Sequence, residues 1–259
     1  DITGGVFGLD YSDLRGSEAN ILTVRSETSF DISQLPNPLS WSLVFENQAH
    51  LTARYNGATN QNLLTGPVSL TGNTILDGSY HDTFSGVLSG SGGLVKSVGL
   101  THLTGTNNVY AGNTSVTNGV LLTLTPSSLP AADFARVSVS ANGTLAVRNV
   151  GSAGGQPGWS DAEIGSLVSS GAFTARSTSL GFETVYEDKT FSGSLPLAGV
   201  AKFGSRKLTI DSSTYDLGPV TVYDGELNLP ASHGLSTYSI TVGNDPILSS
   251  LAVLPLNGT

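Results

Sequence analysis

Gly93-Leu94-Val95-Lys96-Ser97-Val98-Gly99-Leu100-Thr101-His102-Leu103-Thr104-Gly105-Thr106-Asn107-Asn108-Val109-Tyr110-Ala111-Gly112-Asn113-Thr114-Ser115-Val116-Thr117-Asn118-Gly119-Val120-Leu121 decides the fold. Apolar residues alternate with Ser, Thr and Asn in bursts of four to six, and Gly or Asn-Gly interrupts each burst. Alternation at period two places one set of side chains on a buried face and the other in water. Gly and Asn-Gly supply the positive φ of tight corners. The bursts are too short for hairpin arms. They suit a strand that turns a corner, runs on and turns again, which is the coil of a β-solenoid.

Charge is scarce around this stretch. Lys96 is the only charged residue from Gly86 to Ala132. Over all 259 residues only 12% are charged, about half the usual share. Hydroxyls and amides must therefore solvate the surface. The net charge of −9 excludes a nucleic-acid partner, which requires a basic footprint, and a polybasic membrane surface. The absence of cysteine excludes disulfides, zinc thiolate sites and a Cys nucleophile. No apolar run approaches the ~18 residues of a membrane-spanning helix. Methionine is absent even at position 1, which predicts a processed or excised piece.

Outward from this stretch, short strands are predicted along most of the chain. Val6, Phe7 and Leu9, then Ile21–Val24 and Phe30–Ile32, precede Pro36 and Pro38. Trp41–Phe45, Ala49–Tyr55, Leu63-Leu64, Val68–Leu70 and Ile75-Leu76 follow, with a turn at Asn56-Gly57. Pro126 and Pro130 break the pattern between Thr125 and Asp133 into a loop or one helical turn. Ala135–Val139 and Thr144–Arg148 resume it. Ser160-Asp161-Ala162-Glu163 is a capping box, and Ile164, Leu167 and Val168 at helical spacing predict one short helix that Gly171 can close. Later strands are Leu208–Ile210, Val220–Val222, Leu227–Leu229, Tyr238–Val242 and Leu251–Leu254.

The chain also repeats itself. Trp41-Ser42 returns as Trp159-Ser160, and Thr52-Ala53-Arg54 as Thr174-Ala175-Arg176. Thr83-Phe84-Ser85-Gly86 returns as Thr190-Phe191-Ser192-Gly193. Lys96, Tyr110 and Gly119 match Lys202, Tyr215 and Gly225, and Ala146-Val147 matches Ala252-Val253. This divides a continuous domain into N-terminal strands 1–40, a first unit 41–158 and a second, related unit 159–259. The fold class is all-β: a parallel β-helix, or β-solenoid, with at most one or two short helices in loops. At roughly 20–30 residues per turn the chain makes about nine to twelve coils, a rod roughly 45–60 Å long.

The Gly93–Leu121 stretch resembles the autotransporter-associated β-strand repeat, also called the passenger-associated transport repeat. Gly93-Leu94-Val95-Lys96 fits that family's opening. Gly105, Asn108, Tyr110, Gly112, Thr114 and Val116 fit its centre, and Gly119-Val120-Leu121 its end. Lys202, Tyr215, Val220-Thr221-Val222 and Gly225 form a degenerate second copy. With Gly99, these are the candidate structural-motif residues. The resemblance implies a right-handed parallel β-helix on a secreted or cell-surface bacterial protein. It implies no reaction and no cofactor, because the motif is a folding element.

Candidate chemistry is sparse. The carboxylate groupings are Asp10 with Asp13, Glu183 with Glu187 and Asp188, and Asp211 with Asp216. Sugar hydrolysis needs two carboxyls with separated pKa values facing one groove, and none of these lies in an alternating strand that would aim two together. Read as solvated loop carboxylates, they predict no catalysis. His50, His81, His102 and His233 lack metal-ligand spacing; His102 is expected to face solvent or stack on a neighbouring rung. Calcium at Asp10, Asp13 and Glu18 has no EF-hand or Gly-Gly-x-Gly-x-Asp context. Gly90-Ser91-Gly92-Gly93 lacks the ending of a phosphate loop. Asn113, Asn142 and Asn257 open glycosylation-type sequons. Tyr110, Tyr215, Trp41 and Trp159 could stack on sugars, but their positions predict packing between coils. The expected function is an extracellular rod: a segment of a surface fibre, stalk or filament. Leu254–Thr259 reads as an interrupted coil, so either the native protein continues or the partner is a copy of itself, joined by end-to-end or lateral contact. The alternative is an adhesin or module binding surface glycans, and a polysaccharide lyase or hydrolase stands behind that.

Overall fold

The computed structural model describes residues 4–9, 20–33, 35, 37–53, 62–78, 81–130, 134–140, 142–149, 156–193, 195, 198–211, 215–229, 235–237 and 240–242. In chain order its strands begin with β1 (Val6–Leu9), β2 (Ile21–Val24), β3 (Ser29–Ile32), β4 (Ser42–Phe45), β5 (His50–Ala53), β6 (Asn62–Leu64), β7 (Val68–Leu70), β8 (Thr74–Leu76), β9 (His81–Phe84), β10 (Leu88–Ser89), β11 (Leu94–Lys96) and β12 (Leu100–Leu103). They continue with β13 (Thr114–Val116), β14 (Gly119–Thr123), β15 (Val137–Val139) and β16 (Gly143–Arg148). After the helix α1 (Asp161–Ser169) come β17 (Ser179–Glu183), β18 (Lys189–Phe191), β19 (Gly199–Phe203), β20 (Lys207–Ile210), β21 (Tyr215–Leu217), β22 (Val220–Val222), β23 (Glu226–Asn228), β24 (Leu235–Thr237) and β25 (Ile240–Val242).

Apart from β16 and β17, which a whole coil with the helix separates, successive strands do not pair with each other among the described residues. Each pairs, parallel, with the strand one coil away. Leu88 lies beside Val68, Leu94 beside Thr74 and Thr114, and Leu100 beside Val120. These partners are 20 residues apart, so the opening stretch spans about one and a half turns. Three walls result. One is the seven-stranded sheet β1-β3-β5-β8-β11-β13-β15, the second the four-stranded sheet β10-β7-β4-β2, and the third the nine-stranded sheet β25-β22-β19-β17-β16-β14-β12-β9-β6. Smaller sheets, β18-β20-β23 and β21-β24, take the remaining places in the later coils. The chain is a right-handed parallel β-solenoid, the hand that strand twist imposes on parallel crossovers. Nine strands at ~4.8 Å give the longest wall a height of about 40 Å.

Period-two patterning builds the interior. Val24, Ile32, Phe45, Leu51, Leu70, Leu76, Phe84, Leu103, Val116, Leu121, Leu145, Phe182 and Val222 all point inward and are at most 1% exposed. Their columns run along the axis because each coil repeats the same alternation over the one beneath. The nine-stranded sheet continues unbroken across residue 158, through the β16–β17 ladder, in which Leu145 lies beside Leu180.

The predicted helix is α1. Ser160 Oγ accepts from Glu163 N at 3.3 Å, and the Glu163 carboxylate accepts from Ser160 N at 2.8 Å. Ile164 and Leu167 bury its inner face, and Gly171 follows it at φ +82°. Pro126–Ser128 forms one 3-10 turn, as the two prolines foretold, and a second at Phe134–Arg136 shortens the next strand to Val137–Val139. The predicted turn at Asn56-Gly57 and strand at Leu251–Leu254 lie outside the described residues.

Candidate functional site

The candidate motif residues assemble into a device for stacking coils. Asn108 is 1% exposed and follows the corner at Asn107, whose φ is +63°. Its Oδ1 accepts from Leu88 N at 2.8 Å, in the coil below. Its Nδ2 donates to Ser128 O at 2.7 Å, in the coil above. With a longer contact from Nδ2 to Gly105 O at 3.5 Å, one amide side chain thus meets backbone groups on three consecutive turns. Tyr110, 1% exposed, shares a 2.6 Å hydrogen bond with Thr114 Oγ1. Burial raises its hydroxyl pKa, so it stays neutral.

The glycines divide by role. A Cβ on Gly112 would lie 2.5 Å from the Gly92 backbone, one on Gly105 2.4 Å from Gly86 O, and one on Gly93 2.3 Å from Asn113 O. No side chain fits where corners of adjoining coils touch. Gly99, Gly119 and Gly225 hold φ of +72°, +69° and +70° at the entry to strands.

Lys96 and Lys202 are interior, at 1% and 0% exposure. Lys96 Nζ donates to Thr101 Oγ1 at 2.8 Å. Thr101 lies beside Asp82 in the β12–β9 ladder, and Asp82 accepts from Asn62 Nδ2 at 3.2 Å. Burial pushes the Asp82 carboxyl up and the Lys96 ammonium down, each partly opposed by the other's charge. Lys202 Nζ instead donates to the carbonyls of Phe203, at 2.6 Å, and of Gly204 and Asp224. Burial lowers its pKa to about 8, against the charges of Asp224, Glu183 and Asp188. The two lysines matched in sequence sit in different walls: Lys96 in the seven-stranded sheet, Lys202 in the nine-stranded one. Tyr215 opens β21, in a sheet separate from the coil that carries Tyr110; its side chain lies outside the described residues.

A second device escaped the sequence reading. Thr65, Thr71, Ser85, Ser97, Thr104, Thr117 and Ser140 each follow the last residue of a strand. Each hydroxyl donates to a carbonyl one coil below: Leu39, Phe45, Leu64, Leu76, Phe84, Lys96 and Val116 respectively, at 2.9–3.5 Å. Its sequence signal is the Ser or Thr after each apolar burst, a pattern that solvation of the outer face also explains.

The candidate catalytic groups do not converge. Glu183 is ion-paired with Arg148, whose guanidinium also lies 5.7 Å from the Tyr186 ring. Asp188 accepts from Lys207 N at 3.0 Å, and Asp211 is exposed. His50 is held 2.6 Å from Asp77, which also accepts from Thr52 Oγ1. His81 and His102 stack edge-on, with centroids 4.2 Å apart, as the neighbouring-rung expectation for His102 required. Burial lowers both to about 3, helped at His81 by the charge of His102 and at His102 by that of Arg148. Among the described residues no three His, Asp or Glu side chains are placed to hold a metal. Asp10, Asp13, Glu18, His233 and Asn257 lie outside those residues, as does the side chain of Asp216. Trp159 is 0% exposed and stacks on Phe134, so like Tyr110 it offers no face to a sugar. No protein-family model, curated protein or solved structure matches the chain.

Proposed function

We propose that this chain is a segment of an extracellular rod, a stalk, fibre or filament at a bacterial surface, whose copies join end to end. The observation that carries this is the regular run of strand-end hydroxyls, each tied to the coil beneath. With the Asn108 bracket and the contact glycines, the distinctive residues are spent on coil-to-coil adhesion, and the surface carries few charges. The likeness of Gly93–Leu121 to the passenger-associated repeat supports a secreted location.

The first coil supports joining. Among the described residues, strand β1 is paired on one side, to β3, and β2 on one side, to β4. Phe7 stands over Phe30 in the interior column, ring centroids 6.1 Å apart, yet is 39% exposed; Ile21 is 70% exposed. Open strand edges with apolar side chains invite another sheet, and a head-to-tail contact that does not close yields a filament. Sedimentation velocity across a concentration series, with electron microscopy of the same samples, tests this. The expected result is linear oligomers that grow with concentration and shorten in Phe7→Lys/Ile21→Lys. A chain that stays monomeric at every concentration refutes the assembly.

A further inference from the structure

Four polar side chains interrupt the apolar interior around β9, and an amine and a carboxyl are among them. Asn62, Asp82 and Thr101 are neighbours in the β6–β9–β12 ladder, and Lys96 reaches them from β11 in the seven-stranded wall. All four are at most 1% exposed. Asn62 Oδ1 accepts from Leu35 N at 3.0 Å, which turns Asn62 Nδ2 toward Asp82 Oδ1 at 3.2 Å. The two interior lysines are satisfied differently. Lys202 Nζ donates to three backbone carbonyls, the setting of an ammonium. Lys96 Nζ has a single hydroxyl, Thr101 Oγ1 at 2.8 Å. Thr101 is the side chain next to Asp82, so amine and carboxyl stand about one hydroxyl apart. A buried ion pair repays its desolvation only when further hydrogen bonds satisfy both charges. Here burial drives Asp82 and Lys96 toward their neutral forms, a carboxylic acid and an amine, against their mutual attraction and the charge of Asp77.

We propose that Lys96 and Asp82 condense into an intramolecular isopeptide bond. The lone pair of Lys96 Nζ attacks Asp82 Cγ, and the new Nζ–Cγ bond pushes negative charge onto Oδ1, where Asn62 Nδ2 already donates. The Cγ–Oδ2 bond then breaks. Oδ2 leaves as water, carrying its own proton and one from Nζ, which the Thr101 hydroxyl is placed to relay. One amine and one acid give one amide and one water, and no other reactant is consumed. Holding both groups in one buried site raises their effective concentration far above that in solution, and the closed interior keeps water from reversing the step. The bond ties the nine-stranded wall to the seven-stranded wall across the interior. It lies within one chain and so stands independently of end-to-end joining.

Intact-mass spectrometry of the full chain, folded and then denatured, tests this. The expected mass is one water below that of the sequence. Arg54, Lys96 and Arg136 are successive tryptic sites. Trypsin needs a free lysine amine, so the linked chain should stay uncut at Lys96 and release residues 55–136 as one fragment, also one water light. Lys96→Met removes the amine and should show the full mass of its own sequence, folded or not. A native chain of full mass that is cut at Lys96 overturns the proposal. So does a water loss that persists in Lys96→Met, or one that hydroxylamine reverses, which marks a succinimide at Asp77-Gly78 instead of a side-chain amide.

Discussion

Asn108 shows how one residue can govern several coils. It is buried and bonds to Leu88 N and Ser128 O. Asn108→Ala leaves a buried amide and a buried carbonyl without these partners, which should cost about 2–4 kcal/mol. Urea unfolding measures it, and a loss under ~0.5 kcal/mol would show the bracket to be idle. The stacked histidines give a pH signature. His81 and His102 are depressed from 6.5 to about 3 in the fold. Between those values the unfolded chain takes up protons that the native chain refuses, so stability falls as pH drops from 6.5 toward 3. Above 6.5 the pair contributes nothing to the slope. Asp82, raised by burial, acts in the opposite direction, so the pair is isolated by comparison with His81→Leu/His102→Leu. That variant should lose less stability over this range, and parallel curves would refute the assignment.

At the scale of the element, each coil is fastened to the next by backbone ladders and by one hydroxyl at many strand ends. Thr117→Val and Thr104→Val keep the shape and remove the donor, and each should cost about 0.5–1.5 kcal/mol in thermal or urea unfolding. Because stacked coils interact with nearest neighbours, the two losses should be close to additive. The strands of Gly93–Leu121 were legible because they bury one face, so Leu94, Lys96, Thr114 and Val116 alternate cleanly with Val95 and Ser115. Strands β17 and β19 carry no such alternation. Ser179–Glu183 and Gly199–Phe203 are covered on both faces, and a wall with two dry sides loses its period-two signal. Lys96 was legible as a motif residue but not as an interior one, since nothing local says which way a long stem points. The match of Lys96 to Lys202 preserved order along the chain yet crossed from one wall to another. Three similar short strands per turn let a sequence alignment slip by one face.

At the scale of the molecule, the account is of coils stacked in parallel around one apolar interior. The sequence indicated the rod through scarcity: few charges, short bursts, corners of Gly and Asn. It did not indicate the outer apolar cluster of the nine-stranded wall, because Leu100, Leu122, Ala146 and Ala201 are scattered 22–101 residues apart and meet only once coils stack. The register of that stacking underlies every claim above. Ser115 and Ser138 are partners in the β13–β15 ladder, with hydroxyls 3.2 Å apart on the outside of the seven-stranded wall. The chain has no cysteine to interfere, and neighbouring parallel strands place Cα atoms within disulfide range. Oxidation of Ser115→Cys/Ser138→Cys, read by mass and non-reducing electrophoresis, should close an intramolecular disulfide in nearly every molecule. The control Ser115→Cys/Val139→Cys, one residue out of register and on opposite faces, should stay reduced. A first pair that remains reduced, or a control that closes as readily, would contradict the stacked coil.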